Sequence, residues 1–136
     1  MTPEETAKIK SLKDRSEIFN YVVDHLRLQG KRSIFINNFE GDETCAYRGD
    51  GGTMCAAGVL IADDEYSPSF EGKSIYTLVR QNLLTPDLKK RIEPNEPMIS
   101  DLQSLHDHHL TYKNGEFTVA TKNFIDKLRE KWGIEQ

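Results

Sequence analysis

The chain has 136 residues, 37% of them hydrophobic and 29% charged; that length suits one domain, residues 1–136, with a small core, and the composition is too apolar for wholesale disorder. A formal net charge of −4 argues against a general nucleic-acid binder, and no run approaches the roughly 18 apolar residues of a membrane span. The N-terminal MTPEETAKIK is charged and lacks the apolar stretch of a secretory signal; with only two cysteines, no disulfide scaffold is expected and a reducing cytoplasm is the default.

Thr2, Pro3 and Glu5 form a Thr-x-x-Glu capping box that opens a first helix to about Lys13. Its apolar face (Ala7, Ile9, Leu12) is thin, so residues 1–14 are expected to lie loosely on the surface. Ser16 is a candidate cap for a stronger helix closed by Gly30, with Ile18, Phe19, Val22, Val23 and Leu26 at core-facing spacing. Ser33 to Phe39 alternates apolar and polar and reads as a strand. In residues 44–61, TCAYRGDGGTMCAAGVLI, the glycine-rich turn separates a strand CAYR from a partner that either continues as strand or becomes a helix near Cys55. Residues 62–74 are turn-rich. Helices are expected at Ile75 to Leu84, from Pro86 through Arg91, and at Met98 to His109. A short hairpin then pairs Leu110 to Tyr112 with Glu116 to Ala120. Thr121 caps a last helix, striped by Phe124, Ile125, Leu128 and Trp132 and closed by Gly133. The fold class is α+β: a helix-dominated domain with a small β-hairpin or short sheet.

From Glu40 to Glu71 eight acidic residues face a single basic one, Arg48. A solvated acidic surface accounts for this; the sharper alternative is a face that docks on a basic partner or imitates nucleic-acid charge. Arg48 flanks a glycine turn, which suits anion binding, although Gly49-Asp50-Gly51-Gly52 has neither Walker nor Rossmann spacing. The simpler reading pairs Arg48 with nearby carboxylates. Cys45 and Cys55 straddle the turn; a three-residue loop sets them opposite each other, while two or four residues turn the sulfurs to opposite faces.

Cys55 follows Gly-Gly-Thr at a possible helix start, where the dipole lowers a thiol pKa. As a nucleophile it needs a base, and His106 is the candidate, with Asp107 or Asp64 orienting it. Adjacent helical side chains diverge by about 100°, which makes Asp107 a poor orienter. The simpler alternative is two buried thiols and a core-facing His106. On an α-helix His106 and His109 share a side and His108 points away. Zinc held by Cys45, Cys55, His106 and His109 would need unusual spacing, and Asp63, Asp64 and Glu65 offer carboxylates to another metal. Neither pattern is diagnostic, and no metal or cofactor is expected.

Tyr47-Arg48-Gly49, then Cys55, Ala56, Gly58, Leu60 and Ile61, then Asp64, Tyr66, Glu71 and Gly72, and finally Leu102, Gln103, His106 and Asp107, occur in an order that resembles a family of small phage and prophage proteins. The likeness spans roughly residues 20 to 110 and departs from the family at Gly-Asp-Gly-Gly, where Gly-Pro-Asp-Gly is common. It implies an accessory protein of the bacterial host cytoplasm, by association with others that redirect host proteins or defence systems. The expectation is therefore a non-enzymatic binding module for a host protein or small ligand, with Tyr47, Arg48, Gly49, Asp64, Tyr66, Glu71 and His106 as its surface. The alternatives are a cysteine hydrolase or transferase using Cys55, His106 and Asp107, and a metal-stabilised interaction module. No membrane or nucleic-acid partner is expected; a homodimer is left open, through the first helix or the Trp132 region.

Overall fold

A computed structural model describes residues 1–37 and 42–135. It shows helices α1 (Pro3–Ser11), α2 (Arg15–Gln29), α3 (Ala56–Val59), α4 (Ile75–Arg80), α5 (Pro86–Ile92), α6 (Glu96–Ser104) and α7 (Val119–Trp132). Two antiparallel strand pairs accompany them: β1 (Ile34–Asn37) with β2 (Asp42–Cys45), and β3 (Tyr112–Lys113) with β4 (Glu116–Phe117). The fold is α+β and helix-dominated. Among the described residues, no helix is long and apolar enough to cross a membrane.

The core is built where the helical periodicity placed it. Ile18, Phe19, Val22 and Leu26 of α2 are fully buried with Leu60 and Ile61 after α3 and with Ile99 and Leu102 of α6. The capping box on α1 forms as expected. That helix is not loose, however. Ile9 and Leu12 are 1% and 3% exposed, and the N-terminal ammonium and Lys10 bind Asp63 and Asp64. Two well-seated anchors and two ion pairs hold a helix whose apolar face is thin.

Several boundaries move for local reasons. Asp14, not Ser16, caps α2, because Glu17 completes a capping box with it. Thr118, not Thr121, caps α7; Thr121 is buried and its hydroxyl donates to the His109 carbonyl at 2.7 Å. α4 ends at Arg80, short of Leu84.

The largest difference concerns the hairpin. Cys45 pairs with Ile34, not with the segment after the glycine turn. The turn is a tight loop, closed by the Gly49 N–H donating to the Thr53 carbonyl at 2.9 Å. Cys55 then touches the sheet's end once, its N–H donating to Ala46 O at 3.2 Å, before α3 begins. The helix near Cys55 is thus present, but only four residues long. Of the strand expected over residues 33–39, positions 38 and 39 lie outside the described residues, as do Glu40 and the glycine after it.

Candidate functional site

Tyr47, Arg48, Tyr66 and Glu71 converge, as the sequence suggests, but onto one another. The Arg48 guanidinium donates to the carbonyls of Tyr47 (3.1 Å), Gly58 (2.9 Å) and Ile61 (2.6 Å) and to Asp63 Oδ1 (3.1 Å), and lies over the Tyr66 ring. Glu71 accepts the N–H groups of Tyr47 (3.0 Å) and Arg48 (3.1 Å) and the Tyr66 hydroxyl (2.6 Å). This is a clip: a cation on the open carbonyls at the end of α3 and a carboxylate on the turn's N–H groups. Its polar atoms are engaged internally, so Arg48 and Glu71 serve to hold the turn against α3. Asp64 stands apart, exposed and paired with Lys10. Gly49 is a packing position, since a Cβ there would sit 2.4 Å from Ser33 Oγ and 2.8 Å from Ile34 O.

A second arginine repeats the device. Arg91 donates to Leu60 O (2.9 Å) and forks onto Glu65 (2.8 and 3.3 Å), both side chains buried. Asp63, Asp64 and Glu65 therefore diverge to four different cations (the N-terminal ammonium and Arg48, Lys10, and Arg91) instead of forming a carboxylate site.

His106 is fully buried. Its Nε2 accepts the Ser33 backbone N–H at 2.9 Å; a backbone N–H can only donate, so the ring proton of the neutral imidazole sits on Nδ1 and is given to Asp107 Oδ1 at 2.9 Å. The pairing of neighbouring residues, unexpected on an α-helix, arises because residues Leu105–His109 form a π-turn that widens the chain at the end of α6. Asp107 also takes Gln103 Nε2 at 2.7 Å and the Cys45 thiol. Burial works to raise its pKa, but the hydrogen bonds from His106, Cys45 and Gln103 outweigh burial and hold it below the usual carboxylate range.

The nucleophile reading is overturned by this geometry. Both ring nitrogens of His106 are occupied, and Cys55 makes no hydrogen bond to it among the described residues. Burial pushes the Cys55 thiol up to about 12, offset only in part by the N–H groups of Gly58 and Ala57. Cys55, His106 and Asp107 do not form a catalytic set; His106 orders Asp107, and Cys55 packs at the start of α3.

Cys45, His106 and Asp107 do bring a sulfur, a ring nitrogen and a carboxylate oxygen within 4.8 Å of one another. The donor set nevertheless fits a metal poorly. A metal on Nδ1 would force the ring proton to Nε2, against the Ser33 N–H, where no acceptor exists. Of the other two expected ligands, Cys55 is not in the cluster and His109 stacks on Phe124 with centroids 3.9 Å apart.

Cys45 and Asp107 line a cleft of about 700 Å³ between β2, the start of α3, residues 72–76 and α6, with His106 buried behind them. Cys45, Cys55, Gln103 and Asp107 lie within it; Arg32, Lys73, Ser100, Tyr76 and His108 surround them. Arg32 is anchored to the Asp107 carbonyl at 3.0 Å, and Gln103 Oε1 accepts the Ala57 N–H at 3.1 Å. Gln103, Ser100, Lys73 and Arg32 escaped the sequence reading as site residues. Gln103 alone carried a signal, four residues before Asp107 on one helix face. His108, expected to point away, lines the cleft. No protein-family model, curated protein or solved structure matches the chain.

Proposed function

We propose that the protein is a non-enzymatic binding module that holds a small polar ligand in the cleft floored by Asp107. The observation that supports this reading is a cleft of ligand size, about 700 Å³, with an ionised, half-buried carboxylate held by three side-chain donors. Cys45, Gln103 and His106 fix that carboxylate before any ligand arrives, which spares the ordering cost of binding. The setting implied by the sequence resemblance is that of a phage accessory protein in the host cytoplasm, with the ligand drawn from the host. Chemistry at Cys55 is not part of the proposal, because its thiol keeps its proton near neutral pH.

Exposed Ser100 on the wall allows a test that leaves the core untouched. Protein purified from bacterial lysate is denatured and its small molecules are identified by mass spectrometry, beside a Ser100→Trp variant that plugs the cleft. A compound released stoichiometrically by the wild type and absent from Ser100→Trp is expected. Equal amounts from both, or nothing from either, would overturn the reading.

A further inference from the structure

Helices α2 and α7 run antiparallel. At one end Arg15 donates to the Trp132 carbonyl and Asn20 to that of Glu135, while Arg129 binds Asn20; at the other, Tyr112 beside β4 reaches Leu26 O. Between them lies an open groove of about 520 Å³, floored by Val23, Phe117 and Ile125. The two most exposed large apolar side chains among the described residues stand on its flanking ridges. Leu28, 75% exposed, is one turn beyond Asp24, and Val119, 72% exposed, is one turn before Lys122. Because the helices are antiparallel, both knobs fall at the same end.

The rim carries both signs. Asp24 and Arg27 line it from α2, Lys122 and Asp126 from α7. None of these four makes an ion pair or side-chain hydrogen bond among the described residues, although Lys122 and Asp126 sit at a spacing that ordinarily pairs. By contrast, the other surfaces suggested for self-association are already used. α1 is packed down, and Trp132 donates to Asp101 beneath the Arg15 guanidinium.

We propose that the α2–α7 groove is a self-association surface, on which a second copy of this chain docks across a two-fold axis. A two-fold contact presents the same patch twice, so it needs knobs with a matching groove and charges of both signs in one patch. The Leu28 and Val119 ridges with the Val23–Ile125 floor meet the first need, and the mixed rim meets the second. A uniformly charged partner of either sign would meet repulsion from part of that rim.

Sedimentation velocity across a concentration series tests this with two rim variants. Asp24→Lys with Asp126→Lys makes these four positions wholly basic; Arg27→Glu with Lys122→Glu makes them wholly acidic, with Arg129, already bound to Asn20, left in place. All four sites are on exposed helix surface at the groove edge, and circular dichroism checks each fold. Wild type is expected to approach twice the 15.6 kDa chain mass, each variant alone to shift at least tenfold toward monomer, and an equimolar mixture to recover the dimer. A wild type that stays monomeric, a dimer indifferent to both variants, or a mixture that fails to associate would each overturn the proposal.

Discussion

Arg48 shows how one side chain can satisfy a sequence signal for binding and yet be used internally. Its guanidinium contacts three carbonyls and Asp63, and an ammonium has no planar fork to reproduce that set. Arg48→Lys is therefore expected to destabilise the protein nearly as much as Arg48→Ala, by about 2–4 kcal/mol, since carbonyls are left without charged donors. Urea melts check this; a lysine variant as stable as wild type would mean the guanidinium is dispensable. Asp107 carries a pH signature. Its folded pKa lies below the ordinary value, so the unfolded chain takes up its proton first as pH falls. Its contribution is fully present above about pH 3.9 and is lost on acidification through the lower folded value. The stability gap between wild type and Asp107→Asn is accordingly expected to be widest near pH 7 and to close below about pH 3.9. A gap unchanged by pH would contradict an ionised Asp107.

The short helix α3 is held by its neighbours more than by its own four residues, because one turn is below what helix propagation can sustain alone. Arg48 takes the Gly58 carbonyl and that of Ile61 just beyond the helix, Gln103 takes the Ala57 N–H, and Gly58 lets it lie against the Tyr47 backbone. A Cβ on Gly58 would come within 2.5 Å of the Tyr47 carbonyl oxygen. Gly58→Ala is expected to cost about 1–3 kcal/mol, measured by thermal melting; a neutral result would show that the two segments separate freely. Elements that bury a regular stripe were legible from spacing alone, as with Ile18, Phe19, Val22 and Leu26 of α2. The partner of Cys45 was not, because a glycine turn reports that the chain bends and not which earlier segment it returns to. Ser33 decides that, its carbonyl accepting the Ala46 N–H and its hydroxyl donating to the Ala46 carbonyl. The π-turn at 105–109 was equally invisible, since Leu-His-Asp-His-His fits an α-helical end just as well. The Asp107 cluster depends on it.

Over the whole molecule, the residues with the strongest chemical signal are divided between two internal tasks. The Arg48–Glu71 and Arg91–Glu65 clips fasten residues 47–71 to the helices, while His106 ties the end of α6 to Ser33. Between those fastenings lies the cleft proposed to take a ligand, where Cys45 is half-buried and Cys55 fully so. This division is the basis for proposing binding instead of cysteine chemistry, and the pH profile of alkylation tests it most directly. Native protein is treated with iodoacetamide from pH 6 to 10 and both cysteines are followed by peptide mass spectrometry, in wild type and in His106→Asn. Cys45 is expected to be modified first. Cys55 is expected to stay unmodified in the native protein across that range, its thiol having been pushed up to about 12, and to react on unfolding. Rapid modification of Cys55 near neutral pH, slowed in a folded His106→Asn variant, would contradict this and restore a working Cys–His pair.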